Sequence, residues 1–141
     1  MNNTKIIIQA RTGSTRLPKK MILPFYENEG IFSLLLKKLT ATFDKNDIIL
    51  ATSVNENNDV LVEIAEKYGV NYFRGSENDV LQRFIDAAKE FNAENLIRVC
   101  ADNPFLDVFY IRLLIEKFEK FNCDYLSYIT SDGTPSIKTH Y

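Results

Sequence analysis

Two stretches of this sequence are apolar on consecutive residues, Ile6-Ile7-Ile8 and Ile48-Ile49-Leu50. A strand with one face in water alternates apolar and polar side chains, whereas an uninterrupted apolar run indicates that both faces are covered. Strands of this kind occur in parallel sheets that carry helices on both sides. The feature therefore predicts an α/β fold with a mostly parallel sheet.

Short β-branched runs and helical apolar stripes alternate along the chain. The predicted strands are Thr4 to Gln9, Asp47 to Thr52, Asn71 to Arg74, Asn95 to Ala101 and Asp124 to Ile129. Helical stripes between them begin at Ile31, Val60, Leu81 and Ile111, with helix caps offered by the segment 57–59, Gly69, Ser76, Asp79 and Asp107. Right-handed crossovers predict the strand order 3-2-1-4, which places the loops after the first and fourth strands side by side. Open α/β sheets bind ligands at such a switch point.

Composition describes one globular domain over residues 1–141. The chain is 45% hydrophobic and 26% charged with a net charge of −2, and a chain of this length buries roughly 68% of its unfolded surface. The balanced charge argues against a nucleic-acid partner.

No apolar run approaches the roughly 20 residues of a membrane span, and the N-terminal sequence lacks signal-peptide features, so we expect a soluble cytoplasmic protein without a membrane partner. Cys100 and Cys123 are expected to be reduced and buried.

The loop after the first strand is strongly basic. Its basic side chains are Arg11, Arg16, Lys19 and Lys20, and hydroxyl groups are carried by Thr12, Ser14 and Thr15. Gly13 permits close approach of the backbone to a ligand, and Arg11, Arg16 and Lys20 supply positive charge suited to a triphosphate. The loop is neither a GxGxxG loop nor a Walker A motif. A solvated basic connection without a ligand remains the alternative.

Asp102 follows the fourth predicted strand directly, and the following Asn103-Pro104 ends that strand in extended geometry. A carboxylate at this edge would face the basic loop, and as a hard oxygen ligand it suits Mg²⁺. Alternatively, it caps a loop or pairs with Arg16.

Asp79 and Arg83 lie four residues apart at the start of a predicted helix, where an ordinary ion pair is expected. Arg83 remains a secondary candidate for the site.

The pattern Ala-Arg-x-Gly-Ser-x-Arg-Leu-Pro-x-Lys, read from Ala10 to Lys20, is more specific than its composition. It resembles the cytidylyltransferase family, in particular the spore-coat polysaccharide biosynthesis protein F type, which is related to the acylneuraminate and 3-deoxy-manno-octulosonate cytidylyltransferases. The likeness continues through Ile49 to Ser53, Phe73 to Phe84 and Arg98 to Pro104. It covers essentially the whole chain.

This resemblance implies a Rossmann-like three-layer sandwich of the nucleotide-diphospho-sugar transferase type. It also implies transfer of CMP from CTP, with release of pyrophosphate, to a sugar or small phosphorylated or hydroxylated acceptor for surface polysaccharide biosynthesis. By position, the implied triphosphate ligands are Arg11, Gly13, Ser14, Arg16 and Lys20, and the implied contacts to the base and ribose are Ala10, Arg11, Arg74 and Ser76.

The same resemblance matches the family's metal-binding aspartate to Asp102 and so implies Mg²⁺ as cofactor. Arg16, Lys20 and Asp102 would then form the catalytic set. A homodimer is expected by analogy with the family. Many relatives carry glycine where this chain has Lys19, so the geometry of the loop is open at that residue.

Members of the family run on for roughly another hundred residues, which is an ordinary length for α/β domains. We therefore expect this chain to correspond to the N-terminal part of such an enzyme. The remainder would supply a second acidic metal ligand, for which Asp132 is the nearest stand-in here. Three functions stay open: a cytidylyltransferase, a non-catalytic fragment that binds a nucleotide or a partner, and a nucleotidyltransferase that uses UTP or GTP.

Overall fold

The computed structural model describes residues 3–13, 16–129 and 131–132. By their contacts, residues 1–104 form one compact unit and residues 105–141 a second. The expectation that residues 1–141 act as a single nucleotide-binding domain stays a prediction. No helix among the described residues is long and apolar enough to cross a membrane.

The first unit alternates strands and helices. Its strands are β1 (Thr4–Gln9), β2 (Pro24–Tyr26), β3 (Glu29–Gly30), β4 (Ile48–Ser53), β5 (Asn71–Gly75) and β6 (Asn95–Cys100). Its α-helices are α1 (Ile31–Thr40), α2 (Asp59–Tyr68) and α3 (Val80–Glu90), and short 3-10 turns occupy Lys45–Asp47 and Glu56–Asn58. The second unit contains α4 (Val108–Lys120).

The main sheet has the order β5-β4-β1-β6, and all of its strands are parallel. In the register of the sheet, Ile6 of β1 lies opposite Ile48 of β4 on one side and Ile97 of β6 on the other. This arrangement confirms the predicted strand order 3-2-1-4. It also makes β1 and β6 neighbours, so the loops that follow them leave the same edge of the sheet.

The centre of the sheet is dry on both faces. Ile6, Ile7 and Ile8 are fully buried, and adjacent residues of a strand point to opposite faces. On one face, Ile7 packs with Ile49 and with Ala87 of α3. α2 packs against β4 and β5, and α1 packs against α2. The prediction from the consecutive apolar residues is thereby confirmed.

Three of the predicted caps are confirmed. Gly69 ends α2 in the left-handed conformation, with φ 69°. The side chain of Asp79 accepts a hydrogen bond from the Gln82 amide at 2.8 Å at the start of α3, and Asp107 accepts one from the Phe109 amide at 3.0 Å at the start of α4. At the start of α2, Asn58 makes no side-chain cap, because its amide group is used in a contact with a distant loop.

The antiparallel pair of β2 and β3 was not among the predicted strands. Its tight turn places Glu27 at φ 48° and Asn28 at φ 63°, both in the left-handed region that hairpin turns use and that glycine or asparagine usually fills. Gly30 lies so close to the backbone of the preceding loop that an added Cβ would sit 2.8 Å from the Met21 carbonyl oxygen. The hairpin is thus held directly against the end of the basic loop.

Two expectations are wrong in the described residues. No strand forms over Asp124 to Ile129, and Tyr125 in this segment is 80% exposed. A β-branched and aromatic composition makes a strand only where a neighbouring strand satisfies its backbone groups. In the second unit the segment instead brings Tyr128 to Tyr110, with ring centroids 5.6 Å apart. Cys100 and Cys123 are free, as expected, but only half-buried.

Two leucines on helices test where the core lies. We expect Leu36→Ala in α1, where the side chain is fully buried, to lower the free energy of unfolding by about 2–5 kcal/mol through lost burial and the cavity left behind. Leu81→Ala in α3, where the side chain is 71% exposed, should change it by about 0.5 kcal/mol or less. Urea denaturation of both variants measures the difference, and equal losses would contradict this assignment of the core.

Candidate functional site

The two loops predicted to meet do so through an ion pair. Lys20, at the end of the basic loop after β1, places its Nζ 2.8 Å from Oδ2 of Asp102, which follows β6. Both side chains are partly exposed. The alternative pairing of Asp102 with Arg16 is not the one observed, and Arg16 lies exposed on the loop. A carboxylate and several cations therefore line one edge of the sheet.

The first part of the basic loop is fixed by backbone contacts. Ala10 is buried, and its amide donates to the Ala51 carbonyl at 3.4 Å. Gly13 is exposed, and the nearest atom to an added Cβ there would be a carboxylate oxygen of Glu77 at 3.9 Å. Lys19 adopts the left-handed conformation, with φ 58°, and its amide donates to the Thr12 carbonyl at 3.2 Å. Ser14 lies outside the described residues.

Lys19, where the resemblance led us to expect glycine in many relatives, adopts a backbone conformation that glycine reaches most easily. A left-handed residue with a Cβ costs roughly 1–2 kcal/mol, a cost that glycine avoids. The turn is nevertheless closed here, because the Lys19 carbonyl accepts from the amides of Ile22 at 2.9 Å and Leu23 at 3.2 Å. The loop therefore reaches Lys20 in a defined geometry.

A closed ring of polar contacts joins the loops after β1, β4 and β5. Arg11 Nη1 lies 3.5 Å from Oε1 of Glu77, and the other carboxylate oxygen of Glu77 accepts from the Ser53 hydroxyl. Asn58 Nδ2 donates to Ser53 Oγ at 2.7 Å, and Asn58 Oδ1 accepts from the Thr12 amide at 2.8 Å. Because Thr12 follows Arg11 in the chain, the contacts return to their starting point. We call these five residues the inter-loop ring.

Three members of the inter-loop ring, Ser53, Asn58 and Glu77, were not among the predicted site residues, although Ser53 and Glu77 lie in segments that resemble the family. Ser53 and Asn58 are buried, and buried polar groups are almost always hydrogen-bonded. A signal from the residues themselves is that the buried strand β4 continues from its apolar run directly into Thr52 and Ser53. A hydroxyl at the end of a buried strand requires a partner, but the sequence does not identify that partner.

Arg74 and Ser76 lie at the same edge of the sheet and are already bonded within the chain. Arg74 Nη1 is 2.6 Å from Oδ1 of Asp59, and its other nitrogens donate to the carbonyls of Ser53 at 3.1 Å and Asn55 at 2.9 Å. The Ser76 hydroxyl accepts from the Asp79 amide at 3.0 Å. Both residues thus hold the surrounding loops in place.

The expected ion pair between Asp79 and Arg83 does not form. Asp79 caps its helix instead, and Arg83 is fully buried with Nη1 donating to the Ser76 carbonyl at 2.6 Å. Its Nε and Nη2 have no hydrogen-bond partner within the described part of the chain. Burial and then the charge of Arg11 lower the pKa of Arg83, while Glu77 raises it.

A small residue is needed above the Arg83 side chain. A Cβ added to Gly75 would lie 2.7 Å from Cε1 of Phe73 and 3.2 Å from Cγ of Arg83. The end of β5 therefore passes directly over the buried arginine stem. The loop from Gly75 onward is held from beneath by Arg83 and, through Glu77, from the side by Ser53.

The side chains around Asp102 determine what kind of metal site it could form. Among residues 3–13, 16–129 and 131–132, no group of three or more His, Cys, Asp or Glu side chains could hold a metal ion. Mg²⁺ is commonly bound by one or two carboxylates together with substrate phosphates and water. A single accessible carboxylate beside a cationic loop fits an ion that a polyphosphate would share. It does not fit a cage made by the protein alone.

Comparison with known proteins gives a consistent family. Residues 5–136 match a family model described as Cytidylyltransferase. An uncharacterized protein of Methanocaldococcus jannaschii is 40% identical over 121 residues, which are 86% of this chain and 49% of that protein. The spore coat polysaccharide biosynthesis protein SpsF of Bacillus subtilis is 36% identical over 128 residues, covering 89% of this chain and 53% of SpsF. The chain spans about half the length of these curated relatives.

Two solved structures resemble the fold. A cytidylyltransferase from Leptospira borgpetersenii matches with a TM-score of 0.80 and 38% identity, over 85% of this chain and 50% of that one. A CMP:2-keto-3-deoxy-manno-octonic acid synthetase complexed with CTP matches with a TM-score of 0.66 and 17% identity, over 84% of this chain and 48% of that one. The second likeness concerns the fold alone. The predicted α/β class of the nucleotide-sugar transferase type is confirmed.

The buried amide of Asn58 offers a test of the inter-loop ring. We expect Asn58→Ala to lower the free energy of unfolding by about 1–3 kcal/mol, because the buried Thr12 amide loses its acceptor. Asn57→Ala is the matched control, since that side chain is exposed, and should cost about 0.5 kcal/mol or less. Urea denaturation measures both, and an Asn58 loss no larger than the Asn57 loss would contradict the role of the ring.

Proposed function

The chain belongs to the cytidylyltransferase family, and we propose that it forms the nucleotide-binding part of an enzyme that transfers CMP from CTP to an acceptor. The observation that carries the proposal is the contact between Lys20 and Asp102. It brings a cationic loop and a carboxylate together at the carboxyl edge of a parallel sheet. α/β folds bind nucleotides at this edge.

The triphosphate would be held by the loop after β1. Arginine matches phosphate oxygens with parallel hydrogen bonds, and lysine contributes a compact positive charge. The proposed ligands in this loop are Arg11, Gly13, Ser14, Arg16 and Lys20. Lys20 and Asp102 neutralise each other in this structure, and a triphosphate carrying Mg²⁺ would offer each of them a partner of opposite charge.

The base and ribose would lie toward β4 and β5. The proposed contacts are the backbone of Ala10 and Arg11 and the side chains of Arg74 and Ser76. Arg74 is restrained by its contacts with Asp59 and two carbonyls, so a nucleotide would meet a guanidinium whose position is already set. Such restraint reduces the entropy lost when the ligand binds.

The reaction would depend on charge and position. An oxygen of the acceptor forms a bond to the α-phosphorus of CTP, and the bond from that phosphorus to the bridging oxygen of pyrophosphate breaks. Where the acceptor is a hydroxyl group, its proton passes to water. Arg16 and Lys20 would stabilise the negative charge on the departing pyrophosphate. Asp102 would hold Mg²⁺, which when bound neutralises phosphate oxygens. The protein forms no covalent bond in this scheme.

We propose a sugar or small phosphorylated or hydroxylated acceptor, a role in surface polysaccharide synthesis and a homodimer. The similarity to the spore coat polysaccharide biosynthesis protein supports the polysaccharide role. The second candidate function is nucleotide binding without turnover. It is favoured by the donor set, because the described residues contain no group of three or more His, Cys, Asp or Glu side chains that could hold a metal ion.

Calorimetric titration of CTP with Mg²⁺ tests the binding site. We expect CTP to bind more tightly than UTP, GTP or ATP. Arg16→Ala should weaken CTP binding about ten- to a hundredfold, the loss expected for roughly 1.5–3 kcal/mol from one charged hydrogen bond. Arg112→Ala, at an exposed arginine of α4, is the control and should bind as the wild type does. Equal binding of all four nucleotides would contradict selectivity for CTP, and no binding would contradict the proposal.

Release of pyrophosphate from CTP, with Mg²⁺ and a panel of acceptors, tests turnover. Asp102→Asn should abolish turnover and keep most of the nucleotide affinity, because the amide is a poor ligand for Mg²⁺. Asp47→Asn is a matched control, since Asp47 pairs with Lys5 at 2.6 Å at the opposite edge of the sheet. It should leave turnover unchanged. Undiminished turnover in Asp102→Asn would remove Asp102 from the catalytic set, and nucleotide binding without turnover in the wild type would favour the second candidate.

A further inference from the structure

We propose that Glu77 is a positioning residue whose carboxylate, held by Ser53, sets the guanidinium of Arg11 in place for the phosphates of the nucleotide. The inference rests on the proposed function, in which Arg11 is a phosphate ligand. It adds a role for a residue that the sequence pattern does not connect with the phosphate loop.

Arg11 is held by one end of its guanidinium. Nη1 lies 3.5 Å from Oε1 of Glu77 and 3.4 Å from the Glu77 carbonyl oxygen. No contact within the described residues uses Nε or Nη2, and the side chain is 43% exposed. Arginine binds phosphate best when two parallel N–H groups face the oxygens. The contact with Glu77 leaves such a pair of donors free to face a ligand.

Glu77 can direct Arg11 because Glu77 is itself fixed. One carboxylate oxygen accepts from the hydroxyl of Ser53, which is fully buried at the end of β4. Asn58 Nδ2 in turn donates to that hydroxyl oxygen at 2.7 Å. The carboxylate is thus tied to the buried end of β4 on one side and contacts the partly exposed Arg11 side chain on the other.

The negative charge of Glu77 beside a proposed phosphate site also requires an explanation. A carboxylate close to a triphosphate site repels the ligand, so its presence is unfavourable unless it performs another task. Here Glu77 lies near two guanidinium groups, that of Arg11 and the buried one of Arg83. The charge of Glu77 raises the pKa of Arg83, and the charge of Arg11 lowers it. One negative charge shared by two positive charges leaves the group net positive toward a phosphate.

Repulsion and positioning predict opposite signs for the variant Glu77→Gln. If the carboxylate only repels phosphate, removing its charge tightens CTP binding. If it positions Arg11, the same substitution weakens CTP binding, and we expect a loss of roughly three- to tenfold, typical of coupling between contacting side chains. A merely structural role would alter the thermal unfolding midpoint without this dependence on Arg11.

The experiment is a double-mutant cycle in which CTP with Mg²⁺ is titrated into the wild-type chain, Arg11→Ala, Glu77→Gln and the double variant. We expect the double variant to bind no more weakly than Arg11→Ala alone. Glu29→Gln, which removes a partly exposed carboxylate 3.9 Å from Lys37, is the control and should bind as the wild type does. Ser53→Ala removes the hydroxyl that holds Glu77 and should repeat the Glu77→Gln loss in the same cycle, which keeps the test valid if Glu77→Gln does not fold.

Unchanged or tighter CTP binding by Glu77→Gln or, if that variant does not fold, by Ser53→Ala would overturn the inference. A loss that persists in the Arg11→Ala background would do the same. In these cases the proposed function stands, because the wild-type chain still binds CTP. If the wild-type chain binds no CTP, the proposed function and this inference both fall.

Discussion

The pairing of β1 with a parallel strand on each side is the constraint on which the rest of the first unit depends. Because Ile6, Ile7 and Ile8 are fully buried, β1 cannot shift by a residue without moving an apolar side chain out of the core. This fixed register brings the loops after β1 and β6 to one edge, where Lys20 meets Asp102. The geometry of the site is therefore set by buried side chains of β1 that are not among the proposed nucleotide ligands.

Because the sheet is buried on both faces, the polar groups at its edge need hydrogen-bond partners within the protein. The inter-loop ring meets this need, since Thr12, Asn58, Ser53 and Glu77 bond to one another in turn across the loops after β1, β4 and β5. The same contacts join the loop proposed to hold phosphates to the loop proposed to hold the base. Stability and arrangement of the site are thus two results of one set of hydrogen bonds.

Much of the fold could be predicted from the sequence because it follows from periodicity and chirality. Consecutive apolar residues indicated the parallel sheet, and right-handed crossovers indicated the strand order. Features that depend on a partner in space could not be predicted. Arg83 pairs with a carbonyl rather than with Asp79, and the β2–β3 turn uses Glu27 and Asn28 without a glycine. Within the described part of the chain, the segment Asp124 to Ile129 has no neighbouring strand. The spacing of residues in the sequence does not identify the partner that each of these groups contacts in the fold.

The pair of Lys20 and Asp102 has a consequence for the ionic strength of the surroundings. A free surface lysine attracts dissolved anions, and a phosphate that binds it releases them, which makes affinity fall as salt rises. Lys20 already carries its counter-ion within the protein, 2.8 Å away. A phosphate that takes the place of Asp102 beside Lys20 displaces a carboxylate and not a dissolved chloride ion. The number of cationic side chains inferred from the salt dependence of nucleotide affinity is therefore smaller than the number that contact the ligand.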